Sequence, residues 1–213
     1  MPKLFGLRLP SWMDRMALWR AQKIIQHFPN DLRGLVLDVG CGDGSVTDAL
    51  SKEKGVTVWG VDVVNNFRYG FSFQVGDGSH LPYRDQSFDA VLLIYVLHHC
   101  SDIEEVLKEC QRVSKGTIIL QEDVPTNPWN KWLTHFLDCL GNTVVLGLLS
   151  LFKHGGWQLM KVPYNFRNDD EWKECFRAMG LKLIEAKKIS LGPFDPVPHR
   201  QYVVRVDAGA SSN

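Results

Sequence analysis

The sequence predicts an α/β fold, a mostly parallel seven-stranded sheet with helices on both faces and a C-terminal antiparallel hairpin. Three observations lead there. Apolar strand-like runs alternate with helical patterns through the first two thirds of the chain, as they do in parallel βαβ units. The run Val36-Leu-Asp-Val-Gly-Cys-Gly-Asp-Gly44 places a buried strand before three glycines spaced Gly-x-Gly-x-Gly. A second strand, Val58-Trp-Gly-Val-Asp62, ends on a carboxylate about 20 residues after those glycines.

The elements follow in order. Ser11 and Asp14 read as a helix cap and an early acid, starting a helix near residue 12. Met13, Met16, Ala17, Ile24 and Phe28 share one face of it, with Trp12 and Trp19 on the flank. Residues 1–31 therefore read as a helical arm, either packed on the sheet or folded over the site as a lid. Strands are expected near 35–39, 57–61, 72–75, 88–94 and 116–121, and helices near 44–53 and 101–113. Only Val63 to Phe71 separates the second and third strands. A full crossover needs a dozen or more residues, so a short turn or stunted helix is expected.

Residues 124–166 interrupt the alternation and read as an inserted helical cap. Pro125 and Pro128 open it, and Trp129, Trp132, Leu133, Phe136, Leu137 and Leu140 suggest a helix. The apolar run Val144 to Phe152 is too short for a membrane span, which takes about 20 residues. Asn168, Asp169, Asp170 and Glu171 start a further helix, and Gly180 stops it. Leu181–Ile189 and Gln201–Val206 read as the closing antiparallel pair, and residues 207–213 as a disordered tail. With no repeat and no linker, residues 1–213 read as one domain around a core at 34–123.

Composition narrows the function. The 213 residues are 45% hydrophobic and 23% charged, within the range of globular domains. Twenty-four basic residues balance 24 acidic ones, which leaves no electrostatic footprint for nucleic acid. Five cysteines lack metal-ligand spacing and read as reduced intracellular thiols, and no metal ligand set is read elsewhere. Cys41 reads as a small side chain fitting a tight turn. Cytoplasmic residence is expected; Arg8, Arg15 and Arg20 keep an organelle presequence open. Membrane insertion is not expected, peripheral contact stays open, and oligomeric state is unread.

Glycine suits the turn after the first strand because a side chain would block a ligand resting on the backbone. The helix that follows aims its amides at the same place. A dinucleotide site prefers its third glycine where this chain has Ser45, so an NAD(P)-dependent oxidoreductase is the minor alternative. Asp38 with Gly40, Gly42 and Gly44 instead resembles the S-adenosylmethionine (SAM) loop of class I methyltransferases, which have a Rossmann-like fold. Val75-Gly-Asp-Gly-Ser-His-Leu-Pro82 is similar to that family's adenine segment. Ser87-Phe-Asp-Ala-Val-Leu-Leu-Ile-Tyr-Val-Leu-His-His99 is similar to its fourth strand and following turn. The resemblance covers residues 35–123 and is greatest to the small-molecule branch called methyltransferase type 11.

The resemblance implies SAM as cofactor. Asp62 would hold the ribose hydroxyls with Val63 beside it, and Asp77 the adenine amino group with the Gly78 backbone facing the ring. Asp38 would fix the loop or reach the methionine amine through water, and Ile94 and Tyr95 would lie near the methionine end. His98 and His99 would close the fourth strand, where the methyl group would emerge. A histidine there could take a proton from an acceptor or be purely structural. Glu122 and Asp123 would orient substrate or cap a loop; His154, Tyr164 and His199 have no partner by spacing. No Asn-Pro-Pro-Tyr amine-methylating signature occurs. The apolar 129–152 segment suits a small apolar or aromatic acceptor, such as a lipid or quinone, a packed core, or a dimer face. A non-catalytic SAM-binding scaffold is the other alternative.

Overall fold

The computed structural model describes residues 3–4, 7–8, 11–65, 69–141, 163–192 and 195–206. Two short strands, β1 (Lys3–Leu4) and β2 (Leu7–Arg8), pair ahead of helix α1 (Ser11–Ile25). The main sheet is β3 (Leu35–Val39), β4 (Thr57–Asp62), β5 (Ser72–Val75), β6 (Phe88–Ile94), β7 (Ser114–Asp123), β8 (Leu181–Ile189) and β9 (His199–Val206). Its order is β5-β4-β3-β6-β7-β9-β8. Strands β5 to β7 pair in parallel, and β9 runs antiparallel to both its neighbours.

Strand periodicity divides the core in two. Side chains alternate across a sheet, so Val36, Ala90, Leu92 and Ile119 face one side and Leu37, Val39, Val91, Leu93, Ile118 and Leu120 the other. The first face packs on Ala21, Ile24, Ile25 and Phe28 from α1 and its C-terminal turn, and on Ala49 and Leu50 of α2 (Ser45–Lys54). The second packs on Val106, Leu107 and Cys110 of α3 (Ile103–Val113) and Trp172 and Phe176 of α5 (Asp169–Ala178). Between them in sequence lies α4 (Pro128–Gly141). Both faces of β3 and β6 are covered, which explains their nearly continuous apolar runs, each broken once, by Asp38 and by Asp89.

Helix starts are chemically marked. Asp102 caps α3 by accepting from the Glu105 amide at 2.9 Å. Asn168 and Glu171 make a reciprocal capping box on α5. Helix α2 is different: Gly44, at φ 81°, is its N-cap and offers no side chain to the first amides.

The expected strands are present, with two extensions. Strand β7 runs from Ser114 to Asp123, so Glu122 and Asp123 are its last residues rather than a following loop. Strand β9 begins at His199 because Asp123 pairs with it in the ladder. The short connection expected after β4 contains no helix among its described residues 63–65 and 69–71. The run 144–152, His154 and the tail from 207 lie outside the described residues.

Strand β3 pairs with β4 on one side and β6 on the other. Chain order reverses there, and this is where open α/β sheets leave a ligand crevice at the strands' carboxyl ends. Gly40 leaves β3 at that point with φ 75°, and a Cβ on it would overlap Val96 Cγ2. Gly40→Ala is expected to cost about 1–3 kcal/mol, the left-handed penalty plus displacement of Val96. A lowered urea midpoint checks this, and an unchanged midpoint refutes it.

Candidate active site

The turn after β3 is fastened to β4. The amides of Gly40 and Cys41 both donate to the Val61 carbonyl, at 2.8 and 3.2 Å. Asp62 Oδ2 accepts from Gly42 N at 2.8 Å, and Oδ1 accepts from Val64 N at 2.9 Å. The acid at the tip of β4 thus shapes the glycine turn directly. A Cβ on Gly42 (φ 57°) would meet no atom within 4 Å, so this side of the turn is open. Val63, next along, is 56% exposed.

Beneath the turn, Asp38 is 1% exposed and its Oδ2 accepts from the Thr47 hydroxyl at 2.5 Å. Burial pushes this carboxyl up to about 6, against the Thr47 bond and with help from the Asp62 charge. Cys41 is buried, and a Cβ on Gly60 would come within 2.7 Å of its Sγ. Burial first, then the charges of Asp38 and Asp62, push its thiol up, which leaves it inert. Asp77 is exposed and accepts from the Ser79 amide at 3.0 Å, a side-chain turn. Gly78 is wanted for packing, since a Cβ would come 3.0 Å from Val39 Cγ1 and 3.3 Å from Val106 Cγ1.

The rim after β6 is built on Glu122. Tyr95 sits in the left-handed region at φ 53°, and its amide donates to the Gln121 carbonyl at 2.8 Å. Ile94 before it is 9% exposed. Glu122 Oε1 accepts from Val96 N and Leu97 N at 3.1 and 2.7 Å, and Oε2 accepts from His98 Nδ1 at 2.6 Å. His98 and His99 fall on a 3-10 turn, Leu97–His99, rather than closing the strand. Burial works to lower His98, but the Glu122 charge and hydrogen bond, with Asp123 and Asp138 nearby, raise it overall. Burial and the neighbouring His98 lower His99 to about 3, so in this arrangement it is a weak base. Asp138 of α4 comes 3.9 Å from both Nε2 atoms, and burial first of all raises its carboxyl.

The residues after 162 strap this turn down. Asn165 donates to the carbonyls of His98 and Cys100, both at 2.8 Å. Phe166 stacks on His98 at 4.7 Å, and Tyr164 lies 6.1 Å from His99. On the other flank, Arg20 of α1 lies 5.7 Å over the Tyr95 ring and His199 meets that ring edge-on at 5.3 Å.

The expected residues form two neighbouring groups, with Asp77 and Gly78 on the turn after β5. Asp38, the glycines and Asp62 meet at the turn after β3, with Val63 following Asp62 on the chain. Ile94, Tyr95, His98, His99 and Glu122 meet at the rim. Glu122, expected to orient substrate or cap a loop, is 1% exposed with three donors upon it, so its visible work is positioning. His199, unpartnered by spacing, is in fact clamped: Nδ1 is 2.6 Å from Asp123 and Nε2 is 2.7 Å from Asp195. Thr47, Asp138 and Asp195 were not legible as partners. The one signal for Asp138 is a lone acid in WNKWLTHFLDCLG, on the helix face opposite the Trp129, Trp132 and Phe136 stripe. Trp129, Trp132 and Phe136 form a stacked outward ladder, 70%, 56% and 49% exposed, rather than packed core.

Two carboxylates on one imidazole require both nitrogens to donate. Burial opposes the charge on His199, but the bond and charge of Asp123, then Asp195, raise its pKa. A raised folded-state value stabilises the protein fully below the unfolded value and less as pH climbs through the folded one. The stability gap between wild type and His199→Gln is therefore expected to narrow from pH 6.5 upward in urea titrations. A constant gap would show that the clamp holds a neutral ring.

Comparison with known proteins agrees with this layout. Residues 37–120 match the family model described as a methyltransferase domain. A demethylmenaquinone methyltransferase of Lactobacillus johnsonii is 31% identical over 195 residues, covering 82% of this chain and 78% of that one. The Thermotoga maritima demethylmenaquinone methyltransferase is 33% identical over 165 residues, 70% of each chain. Among solved structures, magnesium protoporphyrin IX methyltransferase of Synechocystis with bound SAH superposes with TM-score 0.61 at 16% identity, over 95% of this chain and 90% of that. A chain of the Haloferax volcanii complex between the Trm112 methyltransferase activator and a methyltransferase gives 0.65 at 19% identity, over 92% of each. Among the described residues, no helix is long and apolar enough to cross a membrane. The chain belongs to the class I SAM-dependent methyltransferases.

Proposed function

We propose that SAM lies across the crevice between β3 and β6 and gives its methyl group to a small aromatic acceptor of the quinol type. The open face of the glycine turn carries the cofactor half of this reading: Gly42 has nothing beside it, and Asp62 stands behind it. Each Asp62 oxygen already accepts one backbone amide and keeps capacity for a ribose hydroxyl. Ser45 N, the first amide of α2, already donates to Asp43 Oδ1 at 3.0 Å, and the amides after it, which the Gly44 N-cap leaves without a side-chain partner, are offered to the methionine carboxylate. Exposed Val63 supplies an apolar surface for the adenine ring, with Asp77 and the Gly78 backbone at its polar edge. Ile94 and Tyr95 border the methionine end. Asp38 acts from below by holding Thr47 and the turn.

Support for the acceptor is of two kinds. The relatives named above act, by name, on demethylmenaquinone. In this chain the rim neighbours are aromatic: Tyr164, Phe166 and His135 cluster beside His99, and apolar walls with few polar groups suit such ligands. The sulfonium is already activated, so the protein mainly aligns the acceptor and excludes water.

Asp62→Ala is expected to weaken SAM binding about 10- to 100-fold, the worth of lost charge-assisted hydrogen bonds. Gly42→Ala should do the same, since the new methyl group fills ligand space and touches no protein atom. Calorimetry on both variants decides it; undiminished affinity in the pair removes the cofactor placement. For the acceptor, labelled SAM with a prenylated naphthoquinol should give labelled product. If label appears only on some other compound from a metabolite extract, the quinol reading fails.

A further inference from the structure

We propose that His98, His99 and Asp138 form a binding site for one first-row divalent metal ion at the acceptor side of the crevice. The three donor atoms lie within 4.8 Å of one another. Asp138 Oδ2 is 3.9 Å from His98 Nε2 and 3.9 Å from His99 Nε2. These separations are too long for direct hydrogen bonds. Ligands held about 2.0–2.1 Å from a common ion stand roughly 3–3.5 Å apart, so the Asp138 side chain and the His99 ring must both turn inward when an ion binds.

Two further observations point to a ligand there. His98 is 2% exposed, yet its Nε2 has no hydrogen-bond partner. Its other nitrogen, Nδ1, donates to Glu122 at 2.6 Å, which fixes the ring's orientation and, in the neutral ring an ion would select, turns the Nε2 lone pair to the site. A carboxylate behind an imidazole is the usual outer shell of a metal-bound histidine. Glu122 is itself held by two backbone amides, Phe166 backs the His98 ring, and so the donor is preorganised. Two imidazoles with one carboxylate suit zinc, iron(II), manganese(II) or cobalt(II). Three protein ligands leave at least one position open.

The catalytic use of the ion rests on the methyltransferase reading above. An acceptor hydroxyl oxygen taking the open position would have its pKa lowered, releasing its proton to solvent. The ionised acceptor then attacks the SAM methyl carbon through oxygen or a ring carbon. That bond forms as the carbon–sulfur bond breaks, and the electron pair stays on sulfur in SAH; on the carbon route the methylated ring carbon then gives its proton to solvent and the oxygen is reprotonated, which restores the aromatic ring.

The test uses the full chain stripped with chelator and then dialysed. Zinc, manganese(II) and cobalt(II) are titrated singly by calorimetry, and cobalt(II) also by its visible ligand-field absorption. The expected result is one ion per chain, with Asp138→Asn and His99→Gln each binding at least tenfold more weakly while their metal-free melting curves match wild type. If one variant does not fold, the other decides. Absence of binding by all three ions, or undiminished binding in the folded variants, overturns the site. SAM titrated into the metal-free protein separates the two readings: a chain that binds SAM but none of the three ions loses this site alone, and one that binds an ion but not SAM loses the cofactor placement.

Discussion

The buried Glu122 carboxylate is the contact on which the rim of this crevice depends. It ends β7, yet its three hydrogen bonds all go to the chain leaving β6. A charge taken out of water is costly unless paired and hydrogen-bonded. Here two amides and an imidazole meet it, and bonds to an ionised group contribute about 1.5–3 kcal/mol each. The consequence is geometric. Because Val96 and Leu97 must point their amides at Glu122, the chain reverses at Tyr95, which adopts φ 53°. Val96 is thereby placed against Gly40, so the acceptor rim and the cofactor turn share one packed contact.

A second polar device ties α1 to the same region. The Gln121 side chain donates to the Ile24 carbonyl and to Gln201 Oε1, and Gln201 donates to the His27 carbonyl. Both amides are 0% exposed. The C-terminal half of α1 is therefore sheet packing. Its middle differs: Trp19 is 51% exposed and Arg20 lies over Tyr95. The C-terminal half of the arm thus takes the first of the two roles the sequence left open, packing on the sheet.

Electrostatics separates the two halves of the crevice. The cofactor side is acidic, with Asp38 and Asp62 within mutual influence, which suits the positive charge of SAM. The acceptor side combines His98, His99 and Asp138 with aromatic walls. Methylation converts a cationic cofactor into a neutral one, so an acidic cofactor side favours substrate over product, whereas in the proposed arrangement the rim orients and ionises the acceptor.

Much of the fold and the cofactor turn was legible along the chain because both are local. Period-two apolar runs specify strands wherever they fall. Gly40, Gly42 and Gly44 announce left-handed backbone by residue type alone, and Asp62 was readable from its distance to them. The short Val63–Phe71 connection could be counted. What the tertiary structure decided lies at the rim, where partners are far apart in sequence. Glu122 read as a loop acid because nothing local shows that β7 lies beside the turn after β6. His199 read as unpaired because Asp123 is 76 residues away and reaches it only through the β7–β9 ladder. Asp138 is a lone acid on an apolar helix until α4 is placed against His98 and His99. Backbone conformation follows from neighbouring residues, but burial and pairing of charges depend on which strands and helices the fold brings side by side.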